Sequence, residues 1–187
     1  MRPIGSVFLA GPDRWFPDGA GLIAQKAELC RTAGFQPVVS PGEGLVETER
    51  SEVMAREIFA SVCGQVRGAD ALIANLTPWR GPNADPGTTF EAGFAAALGK
   101  PVFAYLNIRS EDEAEYGTRV EAVFGGTRDG DGLWRDGDGC EIEDFGLAEN
   151  LMLWAEARCL YVIVCPDPFE DLTGLELCLH AARMYAE

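Results

Sequence analysis

A chain of 187 residues accommodates one ordinary α/β domain and is short for two. Hydrophobic residues make up 47% and charged residues 24%, a globular balance, and no apolar run approaches the roughly 18 to 20 residues that span a bilayer. The net charge of −15 repels phosphate backbones, which speaks against nucleic-acid polymers as partners, and without an apolar span no membrane partner is expected.

In chain order, "SVFLAG" (6–11) predicts a short buried strand ending in Gly-Pro. Its apolar patch breaks too soon for a signal-peptide core, and a cytoplasmic location is expected. "AGLIAQKAELCRTAG" (20–34) has helical spacing with Gly34 as a stop, and "FQPVVS" (35–40) predicts a second strand. A loop at 40–50 leads into a helix over 52–67. "ADALIANL" (69–76) is a strong strand, followed by a helix from about Thr89 to Leu98 and a strand at "PVFAYLN" (101–107). Between 108 and 145 the periodicity fades into an irregular or hairpin insertion. Its Asp-Gly repeats do not match the ligand spacing of an EF-hand. A helix over 147–159, a strand over 160–165 and a closing helix over 171–187 complete the chain. Alternating strands and helices predict a single α/β domain built on a doubly wound parallel sheet.

The six cysteines show no CxxC pair, and His180 is the single histidine. A zinc site and a His-paired nucleophile therefore lack their parts, and the chemistry falls to carboxylates. In an open parallel sheet, ligands collect at the carboxyl ends of the strands. Loops leaving those ends carry Trp15 and Phe16 in "AGPDRWFPDG" and Trp79 in "NLTPWRGPNADPGTTFE". Flat rings there suit a nucleobase, or simply pack against the sheet. Asp85 lies on the same loop, and Glu91 falls in or just after the first turn of the next helix if Thr88 or Thr89 caps it. The helix dipole would hold Glu91 ionised, fit to stabilise an oxocarbenium ion or to attack an anomeric carbon, while Asp85 could supply or relay a proton to a leaving group. An acid near a helix start is also, more simply, a favourable dipole partner.

"VFLAGPDRWFPD", "ADALIANLTPWRG", "DPGTTFEAGFAAALGKP" and "FGLAENLML" together resemble the nucleoside 2-deoxyribosyltransferase family. The resemblance implies a flavodoxin-like fold and no metal or organic cofactor. It implies a retaining double displacement in which Glu91 takes the 2-deoxyribosyl group and Asp85 handles the base's proton. Nucleosides and nucleobases would be the small-molecule partners. Phe8, Gly11, Phe16, Asp18 and Trp79 fall in the substrate-binding stretches. Asn150 and Met152 match residues donated by a neighbouring subunit, which implies a homodimer or larger assembly.

Two departures from the family pattern stand out. Phe8 occupies a strand position where the family commonly has Tyr, whose hydroxyl contacts the nucleophile. Val62 falls where members often carry Asp or Asn to bind the base, so base recognition would shift to Asp18, the Trp79 region or the 40–50 loop. Two other functions compete with sugar transfer. One is an N-glycosidase of the same superfamily, which passes the sugar of a nucleoside or its monophosphate to water. The other is a nucleotide-binding module without chemistry, against which the presence of both Asp85 and Glu91 argues.

Overall fold

The computed structural model describes residues 4–39 and 51–186. The loop read at 40–50 lies outside them. Five strands form the main sheet: β1 (Ser6–Ala10), β2 (Gln36–Val39), β3 (Ala71–Asn75), β4 (Val102–Ile108) and β7 (Leu160–Val164). Their order is β2-β1-β3-β4-β7 and every pairing is parallel. This is the flavodoxin-like order, with its switch point between β1 and β3.

Helices cover both faces. On one side α2 (Glu52–Gly68) and α3 (Pro86–Ala97) close over Phe8, Leu72, Ala74, Ala104 and Leu106. On the other, α1 (Gly19–Thr32) and α6 (Thr173–Ala186) cover Val7, Ala71, Ile73, Phe103 and Tyr105. Alternate residues of β1, β3 and β4 thus serve opposite cores, and β3 and β4 are buried along their whole length. Ser51 caps α2 by accepting from the Met54 N–H, and Pro86 occupies the first position of α3.

The stretch expected to be irregular contains a regular helix, α4 (Tyr116–Phe124), and a small antiparallel hairpin of β5 (Thr127–Arg128) and β6 (Trp134–Arg135). The Asp-Gly repeats are turns: Asp129 accepts the N–H groups of Asp131 and Leu133, and Asp136 those of Asp138 and Cys140. The helix expected over 147–159 is shorter, α5 (Leu151–Glu156), because the residues before it do other work. Glu149 is buried in an ion pair with Arg119 at 3.2 Å, and Asn150 caps α5. Arg119 also donates to the carbonyls of Pro82, Glu113 and Ala148, which ties α4 to the loop before α3 and to the start of α5.

Candidate active site

Asp85, not a threonine, caps α3. Its Oδ2 accepts from the Thr88 N–H at 2.9 Å and from the Thr88 hydroxyl at 3.2 Å. The helix therefore starts three residues earlier than expected, and Glu91 lies in its second turn. Both acids line one cleft of about 290 Å³ beside the β1–β3 switch point, near the lower end of small-molecule sites. Gly11, Arg14 and Trp15 come to it from the loop after β1. Ala55, Ile58, Phe59 and Val62 come from α2, and Gly87 and Phe90 from α3. An adjoining hollow of about 20 Å³, which Gly11 and Arg14 also line, has room for little more than a water.

Burial dominates the electrostatics of Glu91. Desolvation pushes its carboxyl up to about 7; the Arg14 guanidinium opposes that rise and the Asp85 carboxylate adds to it. The Glu91 carboxyl thus holds its proton to higher pH than an ordinary glutamate, against the expectation that the helix dipole keeps it ionised. A group poised there exchanges its proton near neutrality.

Beneath the loop after β1, Lys26 of α1 reaches Asp13 at 2.7 Å, with both side chains buried. The Asn75 amide lies 3.4 Å from the same Asp13 oxygen and accepts from the Thr77 hydroxyl at 2.6 Å. Burial pushes the Lys26 ammonium down from its ordinary range, and Asp13 counters that push. Gly11 belongs to this arrangement. A Cβ there would lie 2.8 Å from an Asp13 carboxylate oxygen, closer than real contacts allow. Its small size lets Asp13 fold under the loop and turn Arg14 and Trp15 toward the cleft.

The remaining sequence-predicted residues lie elsewhere. Phe8 is fully buried beneath α2 and α3 with Val62 and Ala92. Phe16 and Trp79 pack together at 5.2 Å and share Phe169, 4.7 Å from Phe16, so their rings clip three strand-end loops together. Asp18 is exposed at the start of α1. Asn150 is held by its own neighbours, accepting from the Met152 N–H and donating to Glu143 at 2.7 Å. Met152 is 71% exposed, and neither it nor Asn150 lines this cleft. Sequence reasoning overlooked Arg14, although it stands within the quoted "AGPDRW". Val62, singled out in the sequence, does line the cleft, but Ala55, Ile58 and Phe59 on the same face of α2 were overlooked, because their helical spacing reads equally as a core face.

Comparison with known proteins agrees with this architecture. The family model for nucleoside 2-deoxyribosyltransferase matches residues 7–152. An uncharacterized protein of Schizosaccharomyces pombe is 29% identical over 157 residues, covering 78% of this chain and 74% of its own. The solved structure of a 2-desoxiribosyltransferase from Leishmania mexicana is 28% identical, with a TM-score of 0.56 over 80% of this chain and 85% of that one. A 2-deoxyribosyltransferase from Bacillus psychrosaccharolyticus is 22% identical, with a TM-score of 0.46 over 55% of this chain and 72% of its own. With the matched segment running from β1 through the start of α5, the chain belongs to the nucleoside 2-deoxyribosyltransferase family.

Proposed function

We propose that the protein transfers a 2-deoxyribosyl group between nucleobases through an ester on Glu91. The observation that carries this reading is the meeting of Glu91 and Asp85 in one cleft at the switch point of the sheet. The Glu91 carboxylate attacks C1′ of a 2′-deoxynucleoside. The glycosidic bond breaks, its electron pair leaves with the base, and Asp85 delivers a proton to that base. The nitrogen of a second base then bonds to C1′ as the bond from C1′ to Glu91 breaks, its proton passes to the Asp85 carboxylate, and Glu91 departs as carboxylate, so two inversions give net retention. Membership of the family supports the substrate class.

The exposed apolar side chains of Phe145, Met152 and Trp154 support a second subunit packing on this face and sharing Asn150 and Met152 with the neighbouring cleft. Glu143 fixes the Asn150 amide for such a role. Among the described residues no helix is long and apolar enough to cross a membrane.

Two measurements test the reading. Incubation with deoxyinosine and adenine should yield deoxyadenosine; release of hypoxanthine alone, with or without adenine, would mean hydrolysis instead. Mass spectrometry after reaction with a 2′-fluorinated nucleoside should find the sugar on Glu91, and an adduct on another residue would overturn the assignment.

A further inference from the structure

All six cysteines are free thiols, and two of them meet away from the cleft. Cys159 stands immediately before β7, and Cys178 lies within α6. Ala104 of β4 holds both. Its N–H donates to the Cys159 carbonyl at 2.9 Å, and its own carbonyl accepts from the Cys178 thiol at 3.3 Å. Both side chains belong to the cluster that α6 covers, and the Cys178 thiol is also within hydrogen-bonding reach of the Cys159 sulfur. The Tyr161 hydroxyl is a further donor to that sulfur.

The two sulfurs have unlike surroundings. Cys159 is half-buried, within reach of a small oxidant, and hydrogen bonding from Cys178 holds its thiol below the ordinary range against the burial that opposes it. Cys178 is fully buried, and desolvation pushes its thiol up. A reachable sulfur that ionises readily, backed by a sheltered one that keeps its proton, is the division of labour of a peroxide-sensitive pair. We infer that Cys159 and Cys178 form a reversible disulfide when a hydroperoxide attacks this site, and that the bond fastens α6 to the start of β7, the edge strand of the sheet. The Cys159 thiolate bonds to one peroxide oxygen, the O–O bond breaks, and the departing hydroxide takes a proton and leaves as water. Cys159 is then a sulfenic acid. The Cys178 sulfur displaces its hydroxyl, which leaves as a second water with the Cys178 proton. Two thiols are oxidised to one disulfide, and one hydrogen peroxide is reduced to two waters.

The test is to treat the reduced protein with a small excess of hydrogen peroxide, alkylate the remaining thiols and map the peptides by mass spectrometry without reduction. The expected result is a linked Cys159–Cys178 peptide, with both thiols recovered by dithiothreitol. In Cys178→Ala the sulfenic acid on Cys159 should persist and be trapped by dimedone. In Cys159→Ser the attacking sulfur is gone, and Cys178 should stay reduced. The oxidised parent should melt several degrees above the reduced one, because the bond closes a loop of the unfolded chain. Oxidation of the exposed Cys140 ahead of the pair, or an oxidised Cys159 in the parent with Cys178 still reduced, overturns the inference. A linked peptide without a rise in melting temperature overturns the fastening of α6. Should Cys178→Ala fail to fold, the peptide map of the parent decides alone. Neither cysteine lines the cleft of Asp85 and Glu91, so none of these outcomes touches the transferase reading.

Discussion

The Asp85 carboxylate that faces the cleft is the same carboxylate that accepts from the Thr88 N–H at 2.9 Å and starts α3. One side chain thus caps the helix carrying Glu91 and lines the same cleft, and the proposed transfer asks it to move a proton as well. The two roles separate by substitution. Asp85→Asn retains a capping oxygen and should leave the melting temperature almost unchanged, while activity falls by about 10² to 10⁴. Asp85→Ala should lose as much activity and also about 1 kcal/mol of stability. Equal stability losses in the two variants would show that the charge, not the cap, matters to the fold.

The proton on Glu91 sets a pH profile. A nucleophile must be bare, so kcat/KM should rise with pH through about 7 and level off above it. Arg14 opposes the burial that raises this group, and Arg14→Met should move the rise to higher pH. Asp85→Asn should move it to lower pH, since that charge acts in the other direction. A profile flat across neutrality, or a shift of opposite sign, would remove Glu91 as the titrating nucleophile.

The same group bears on stability. Its pKa is raised from an ordinary 4.5 to about 7, so the native state holds the proton more tightly than the unfolded chain. Stability is therefore fully present below about pH 4.5 and is lost as pH rises through about 7, where the buried carboxylate becomes charged. At about 1.4 kcal/mol per unit, and reduced for partial exposure, the loss amounts to roughly 1 to 3 kcal/mol. Glu91→Gln should abolish transfer yet melt several degrees higher than the parent at pH 8, with the gap closing at pH 4. Scanning calorimetry at the two pH values checks both the size and the direction.

Much of the fold was legible because the central strands are nearly pure hydrocarbon. "ALIAN" and "VFAYLNI" admit few placements besides the middle of a parallel sheet. The helix α4 was hidden by the Glu111, Asp112 and Glu113 run before it and by Gly117 and Thr118 in its first turn, residues with weak helix preference. Glu149 misled in the opposite sense. A glutamate inside an apolar pattern reads as a solvated helix position, whereas here it is paired with Arg119, 30 residues upstream. That Asp85 and Glu91 would share one cleft was legible from their place after a strand's carboxyl end. The roles of Phe16 and Trp79 were not, because Phe169 joins them from the far end of the chain.

The Lys26–Asp13 pair should matter more than its distance from Glu91 suggests. Both side chains are buried, and Lys26→Met would leave the Asp13 charge without its cation at a cost of about 3 to 5 kcal/mol. Adding Asp13→Asn should recover part of that loss, because no charge then remains buried. Gly11→Ala should push Asp13 aside and raise KM through displacement of Arg14 and Trp15, with a smaller effect on kcat. Chemical denaturation of the single and double variants, together with their KM values, separates these effects. Equal stability of Lys26→Met and the parent would mean that the pair is not formed in solution.

Phe8 offers the last test, because a single oxygen atom distinguishes it from the family's usual Tyr. Its ring is fully buried in the cluster that includes Ala92, the residue after Glu91. In Phe8→Tyr the new hydroxyl enters a hydrocarbon interior and must find an acceptor or cost about 1 to 3 kcal/mol. Glu91, next to Ala92 on α3, is the acceptor that the family pattern points to. A hydroxyl donating to the carboxylate favours its charged form, so the acid limb of the kcat/KM profile should move below pH 7 with little loss of stability. An unmoved limb together with a lower melting temperature would mean that the hydroxyl stays unpaired and that β1 does not reach Glu91. Turnover of ribonucleosides, followed in parallel, reports whether the same oxygen changes tolerance for a 2′-hydroxyl.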